Sequence, residues 1–270
     1  MQNGMALTLS AVLLLAATIT EARPGDRLRE LLAEHRGAQQ VAYPGRVADE
    51  TAIADPAQRV FICPTTTRPG ASATARTLPP LEEQARDIGR ALARLCSEAA
   101  DFGYDPDHIL LLGHSAGAHL AALVSTDAQH AQGSFAAIQG TLLIDGACHD
   151  VPAQVASSPF MARRTCIRAF GTDPKRQRAL SLITYTVGCD VPDWLLLYRS
   201  ARDDARAQSQ APVRALQHNS ALTELVEVPA ETTSRCQAHL EINHQFGIPG
   251  YAANRQIEVI MHRVEAESGK

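Results

Sequence analysis

A chain of 270 residues, of which 45% are apolar, is long enough to fold as one domain around one sizeable core. Its formal net charge is only −4 and no block of lysine and arginine stands out, which argues against a nucleic-acid partner. An aromatic content of 4% also disfavours a surface on which bases would stack. Composition therefore predicts a single-domain globular protein that does not bind nucleic acid.

The N-terminal segment contains an uncharged apolar run over residues 5–18. The run has the length of an export signal, is short for a membrane span, and is followed by Ala22, a small residue suited to a cleavage site. We therefore predict a signal peptide over residues 1–22, a single domain over residues 23–270, and a secreted or periplasmic protein without a stable membrane span. Because residues 1–4 lack lysine and arginine, the alternative is an uncleaved apolar helix or anchor, and without a cleaved signal the protein would be cytoplasmic.

The cysteines are scattered along the chain without a Cys-x-x-Cys pair, which argues against a zinc ribbon or a thioredoxin-like site. In an exported protein some of them could form disulfides, and the sequence alone does not select the pairs. Two of them, Cys63 and Cys96, lie in apolar segments and fit small core residues. The others are Cys148, Cys166, Cys189 and Cys236.

Short apolar runs alternate with helical patterns along the chain. Continuous apolar runs predict strands covered on both faces, whereas three-and-four spacing of apolar residues predicts helices. In chain order the patterns predict a helix at 26–35, a strand at 59–63, a helix at 81–99, a strand at 109–112, a helix at 116–125, strands at 141–144 and 194–198, a helix at 212–217, a strand at 222–228 and a helix at 256–264. Residues 163–187 are harder to assign and are interpreted as an insertion over the sheet. The alternation predicts a mostly parallel α/β sheet flanked by helices.

The sequence Gly113-His114-Ser115-Ala116-Gly117 fits the pattern Gly-x-Ser-x-Gly between a predicted strand and a predicted helix. This context is that of a nucleophile elbow, a strained turn that exposes a serine hydroxyl. The two glycines allow the strand and the helix to approach closely around the turn. We therefore predict Ser115 as a nucleophile and the backbone amide of Ala116 as a donor to an oxyanion.

A serine hydroxyl is a poor nucleophile alone, so the chain must also supply a base and an acid that orients it. After an elbow of this kind the two follow in the order acid, then histidine. Asp203 and Asp204 come just after the strand at 194–198, and their spacing does not choose between them. His239 lies between the last strand and the closing helix and is the predicted base, with His244 as its competitor.

The segment from Gly113 to Leu120 resembles the elbow of the carboxylesterase branch of α/β hydrolases, near feruloyl-esterase-like and hormone-sensitive-lipase-like enzymes. Segments at 103–109, 170–174, 181–185 and 239–247 are similar to other parts of the family, so the resemblance runs from about Pro79 to the C-terminus.

The resemblance implies an α/β-hydrolase fold and an acyl-enzyme mechanism on small carboxylic esters, without a metal or an organic cofactor. Carried over residue by residue, it implies Ser115 as nucleophile, His239 as general base and acid, and Asp203 or Asp204 as the partner of the histidine. An amidase or peptidase would share this mechanism.

The chain departs from the family in one respect: it has no His-Gly-Gly sequence for the loop that completes the oxyanion hole. After the strand at 59–63 the chain passes directly through residues 64–70 toward the helix at 81–99, which leaves room for a reduced number of strands. Either the loop at 65–70 supplies a substitute amide, or the protein is a catalytically impaired member of the fold with a binding role.

Overall fold

The computed structural model describes residues 10–16, 38–40, 59–61, 80–102, 105–188, 191–245 and 251–267. The strands in these ranges are β1 Ser10–Ala16, β2 Ala38–Gln40, β3 Arg59–Phe61, β4 Asp105–His114, β5 Ile138–Ile144, β6 Asp193–Arg199 and β7 Leu222–Val228. The helices are α1 Leu81–Phe102, α2 Ala116–Thr126, α3 Val151–Ser157, α4 Phe160–Phe170, α5 Pro174–Ala179, α6 Asp203–His218, α7 Arg235–Gln245 and α8 Ala252–Glu267.

Five strands form one parallel sheet in the order β1-β4-β5-β6-β7, and β2 and β3 form a separate parallel pair. Helices connect the successive strands from β4 to β7. The predicted α/β class, a mostly parallel sheet flanked by helices, is therefore confirmed. The carboxyl ends of these strands meet at one edge, so residues that directly follow β4, β5 and β6 lie near one another.

Strand β4 is buried on both faces of the sheet, as its continuous apolar run predicts. Ile109 and Leu111 pack into a core shared with α1, α2 and α6. Leu110 and Leu112 point to the opposite face and pack with residues of α7 and α8. Each of these four side chains is at most 4% exposed, and burying one contributes roughly 1.5–3 kcal/mol. This double burial fixes the position of the elbow that follows β4.

The insertion predicted at 163–187 contains helical structure. It spans most of α4, then α5, and a short 3-10 turn at Leu182–Thr184. Asp173 caps α5 by accepting a hydrogen bond from the amide of Lys175, and Pro174 occupies the first turn, where no amide donor is needed. No helix among the described residues is long and apolar enough to cross a membrane.

Strand β1 consists of seven residues of the N-terminal apolar run, and it pairs with β4. The parallel register runs from Ala11 opposite Ile109 to Ala16 opposite His114. The neighbour of β4 on the side away from β5 is therefore β1, whereas the strand at 59–61 pairs with β2. The export signal over residues 1–22 stays a prediction, and cleavage after Ala22 would remove β1 from the sheet.

Candidate active site

The elbow at Ser115 has the strained geometry that the glycine pattern predicts. Ser115 has φ 58° and ψ −121°, a conformation that costs a non-glycine residue on the order of 1–3 kcal/mol. A β-carbon on Gly113 would overlap the backbone carbonyl of Gly117, so the strand and the helix can approach this closely only through glycine. The amide of Ser115 donates to the carbonyl of Ile144 at 3.0 Å, which ties the turn to β5.

Ser115, His239 and Asp145 form a continuous set of hydrogen bonds. His239 Nε2 lies 2.8 Å from Ser115 Oγ, and His239 Nδ1 lies 2.6 Å from Asp145 Oδ2. The Asp145 side chain is fully buried, and that of His239 is 20% exposed. The imidazole of His239 is therefore reachable from outside while the carboxylate of Asp145 is shielded from water.

Asp145 is held as an ionised acceptor. Burial alone would raise the pKa of Asp145, but the hydrogen bond from His239 and the positive charge of Arg202 bring it below its usual value. Asp145 Oδ1 accepts the backbone amide of Arg199 at 3.0 Å, and Oδ2 accepts Arg202 Nη1 at 2.9 Å. An ionised carboxylate accepts the Nδ1 proton of His239, which leaves Nε2 free to accept the proton of Ser115.

The structure places Asp203 and Asp204 away from this position, which corrects the acid expected from the sequence. Both lie in the first turn of α6, where carboxylates are favoured by the helix dipole. Asp203 is 69% exposed and pairs with Arg206 at 3.2 Å. Asp204 accepts two hydrogen bonds from Arg202, at 2.9 and 3.0 Å. Arg202 thus lies between Asp204 and Asp145, and the carboxylate on His239 is Asp145.

Sequence reasoning missed Asp145 although a signal was present. Asp145 directly follows the apolar strand predicted at 141–144, and it also satisfies the chain order serine, acid, histidine. Asp203 and Asp204 satisfy the same chain order after the later strand at 194–198, so chain order alone does not exclude them. In the sheet, however, β5 is the direct neighbour of β4, so a residue at the end of β5 lies closer to the elbow.

His239 is positioned by α7 and by His114. His114 is buried, and its ring stacks on that of His239 with centroids 4.6 Å apart. Burial, and then the neighbouring His239, lower the pKa of His114 to about 3, so its ring is neutral. Its Nε2–H donates to the backbone carbonyl of His239 at 3.1 Å. His244, the competitor from the sequence, lies one and a half turns further along α7.

Arg199 joins the acid to the helix that carries the base. Its backbone amide bonds Asp145, and its fully buried guanidinium donates to Glu241 of α7 at 2.9 Å. The same guanidinium donates to the hydroxyl of Tyr251 at 2.6 Å. A single residue at the end of β6 therefore holds both Asp145 and the helix that carries His239.

A cavity of about 540 Å³ adjoins His239. Its lining comes from α3, the start of α4, the start of α6 and α7, and it is rich in polar side chains. The lining residues are Gln154, Ser157, Ser158, Pro159, Ala162, Arg202, Asp203, Asp204, Ala207, Gln208, Arg235, Cys236 and His239.

Two backbone segments were predicted to supply amides to the oxyanion hole, and the structure describes only the one at Ala116. Ala116 is the first residue of α2, where backbone amides have no acceptor within the helix. Its amide can therefore donate to a substrate oxyanion, as predicted. The loop at 65–70, suggested as the second source, lies outside the described residues. Within the described residues, no group of three or more His, Cys, Asp or Glu side chains is arranged to hold a metal ion.

The parallel sheet, the elbow after β4 and the histidine on α7 define the α/β-hydrolase fold. Esterase B from Lactobacillus rhamnosis superposes with a TM-score of 0.63 at 19% identity, covering 98% of this chain and 78% of that one. Thermogutta terrifontis esterase 2 gives 0.54 at 17% identity, covering 87% of this chain and 81% of that one. A Rhizomucor miehei esterase gives 0.59 at 17% identity, covering 98% and 78%.

Residues 74–171, which include the elbow and Asp145, match the BD-FAE family model. The resemblance to esterase-like α/β hydrolases is thereby confirmed. No curated protein sequence matches the chain.

Proposed function

We propose that this chain is a serine hydrolase that cleaves small carboxylic esters through an acyl-enzyme on Ser115. The proposal is carried by the hydrogen bonds that run from Ser115 through His239 to Asp145, at 2.8 and 2.6 Å. The named esterases that share the fold support ester hydrolysis. One of them, esterase B, is described with a tributyrin phosphonate inhibitor.

In the proposed mechanism His239 Nε2 accepts the proton of Ser115 as its oxygen attacks the ester carbonyl. Ionised Asp145 keeps the Nδ1 proton in place and stabilises the imidazolium that forms. The Ala116 amide donates to the oxyanion, and removing one such donor typically costs a hundredfold or more in rate. His239 then protonates the leaving alcohol, and later activates the water that releases the acid.

Covalent labelling tests the proposal directly. A fluorophosphonate probe is expected to add to one residue of the full-length chain, and peptide mass spectrometry is expected to find it on Ser115. Only a serine activated by a base reacts quickly with such a probe. Ser115→Ala should abolish labelling and the hydrolysis of p-nitrophenyl butyrate together.

The matched control is Ser200→Ala, since Ser200 follows β6 on the same edge of the sheet but is not bonded to His239. That variant should label and hydrolyse like the wild type. A folded wild-type chain that neither labels nor hydrolyses the ester above background would support the alternative, a catalytically impaired protein with a binding role.

Arg202→Gln is expected to move the acid limb of the kcat/KM profile to higher pH. The charge of Arg202 helps hold the pKa of Asp145 below its usual value, so its removal lets Asp145 take up a proton at a higher pH. A less firmly held carboxylate should also lower kcat/KM at neutral pH by roughly tenfold to a hundredfold. A pH–rate profile with p-nitrophenyl butyrate measures both effects.

Arg206→Gln is the control for this change, because it removes the same charge only four positions further along the chain. Arg206 is 49% exposed and pairs with Asp203, so its profile should match that of the wild type. Arg202→Lys keeps the charge but loses the planar fork that serves two carboxylates, and should restore the position of the acid limb only in part. Equal profiles for Arg202→Gln and Arg206→Gln would show that Arg202 does not position Asp145.

A further inference from the structure

Two cysteines lie in contact beside the turn that carries Asp145. Cys148 follows Asp145 by three residues, in the connection between β5 and α3, and Cys166 lies within α4. Their sulfur atoms are 3.7 Å apart in a partly buried contact. The contact joins the acid turn to a helix whose first residues border the cavity beside His239.

The other described cysteines lie in different environments. The thiol of Cys96 donates to the backbone carbonyl of Pro106 at 3.5 Å. Cys236 is exposed on α7 and lines the cavity. Cys148 and Cys166 are therefore the described pair that is placed to react together.

The chemistry of the pair also favours reaction. The hydrogen bond from the Cys148 thiol lowers the pKa of Cys166 to about 7, against a smaller opposing effect of burial. The same hydrogen bond, with burial, raises the pKa of Cys148. The contact therefore favours the thiolate form of Cys166, the form that attacks disulfides.

We propose that Cys148 and Cys166 are a disulfide-forming pair that ties the acid turn to α4 under oxidising conditions. The oxidant is a low-molecular-weight disulfide such as glutathione disulfide. The Cys166 thiolate attacks one of its sulfurs and forms a mixed disulfide, and one glutathione leaves as thiolate and takes up a proton. Cys148 then loses its proton and attacks Cys166 Sγ, which displaces the second glutathione. Two protein thiols are oxidised to one disulfide, and one glutathione disulfide is reduced to two thiols.

Forming the disulfide requires only a small movement of the two cysteines. A disulfide bond is about 2.05 Å long, so the two sulfurs must approach by about 1.7 Å. The bond would close a loop of moderate length, because the two residues are 18 positions apart. Closing such a loop is expected to raise Tm by roughly 5 to 10 °C for a domain of this size.

The test compares the full-length protein after treatment with glutathione disulfide and after reduction with dithiothreitol. After free thiols are blocked with iodoacetamide, digestion and mass spectrometry should find one peptide that links Cys148 to Cys166 in the oxidised sample alone. Thermal unfolding should show the higher Tm in the oxidised sample. Blocked Cys148 and Cys166 in the oxidised native protein, or links from either of them to other cysteines, would overturn the proposal.

Variants add a second measurement that does not depend on the linked peptide. Cys166→Ser and Cys148→Ser should each remove the difference in Tm between oxidised and reduced protein. Cys236→Ser and Cys96→Ser are the matched controls and should keep it. A difference in Tm that survives in Cys166→Ser would also overturn the proposal.

Discussion

Asp145→Asn is expected to lower kcat for p-nitrophenyl butyrate by about ten-thousandfold. An amide at this position can donate to His239 Nδ1, which leaves the ring proton on Nε2 and prevents that nitrogen from accepting the proton of Ser115. The amide keeps the size of the carboxylate and one oxygen acceptor, so KM should change much less than kcat. Steady-state kinetics, with circular dichroism to verify the fold, measure the effect.

The comparison with Asp203→Asn and Asp204→Asn makes this result specific. Asp203 is exposed, so its variant should retain wild-type activity. Asp204 is bonded to Arg202 and borders the cavity but does not contact His239, so its variant should lose at most about tenfold. If Asp204→Asn were the inactive variant and Asp145→Asn remained active, the acid would be the one expected from the sequence.

Removal of residues 1–22 is expected to prevent the chain from folding. Strand β1 pairs with β4 at seven positions, and net contributions of about 1 kcal/mol for each backbone hydrogen bond sum to on the order of 5 kcal/mol. That is comparable with the whole net stability of a typical domain, about 5–15 kcal/mol. Without β1, strand β4 would also become an exposed edge that invites aggregation. Soluble yield and thermal unfolding of a chain that starts at Arg23 measure the effect.

A chain that starts at Leu7 is the control, because it loses N-terminal residues but keeps β1. It should fold and hydrolyse esters like the full-length chain. If the chain that starts at Arg23 had the Tm and activity of the full-length protein, β1 would be dispensable. Residues 1–22 would then be free to serve as the cleavable export signal that the sequence predicts.

The sequence predicted the elbow well because that motif is local. The same tight turn requires all of its parts, and these occupy adjacent positions in the chain: the strand, the two glycines, Ser115 and the following helix. His239 could be predicted from the sequence for a related reason, because chain order alone places it between β7 and α8. None of these features depends on how distant strands are arranged in the sheet.

Local pattern could not select Asp145 over Asp203 and Asp204, and it could not place β1 in the sheet, because both depend on the order of strands. Asp145 reaches His239 because it stands at the end of the strand beside the elbow, and the order β4-β5 is a property of the folded sheet. An apolar run of export-signal length has the composition of a buried strand, so the sequence alone does not reveal that residues 10–16 pair with β4. The helices α4 and α5 could not be predicted from the sequence either, because many of their residues are exposed and their apolar residues show no clear helical spacing.

The parts of the site are far apart along the chain: Ser115 is 124 positions from His239, and Asp145 is 94 positions from it. Arg199 adds a further requirement, because it must bond both Asp145 and α7 before the two are aligned. During synthesis Ser115 and Asp145 would therefore emerge long before the base that activates the serine. Under the proposed mechanism, Ser115 would stay unreactive in a nascent or partly folded chain until α7 brings His239 to it.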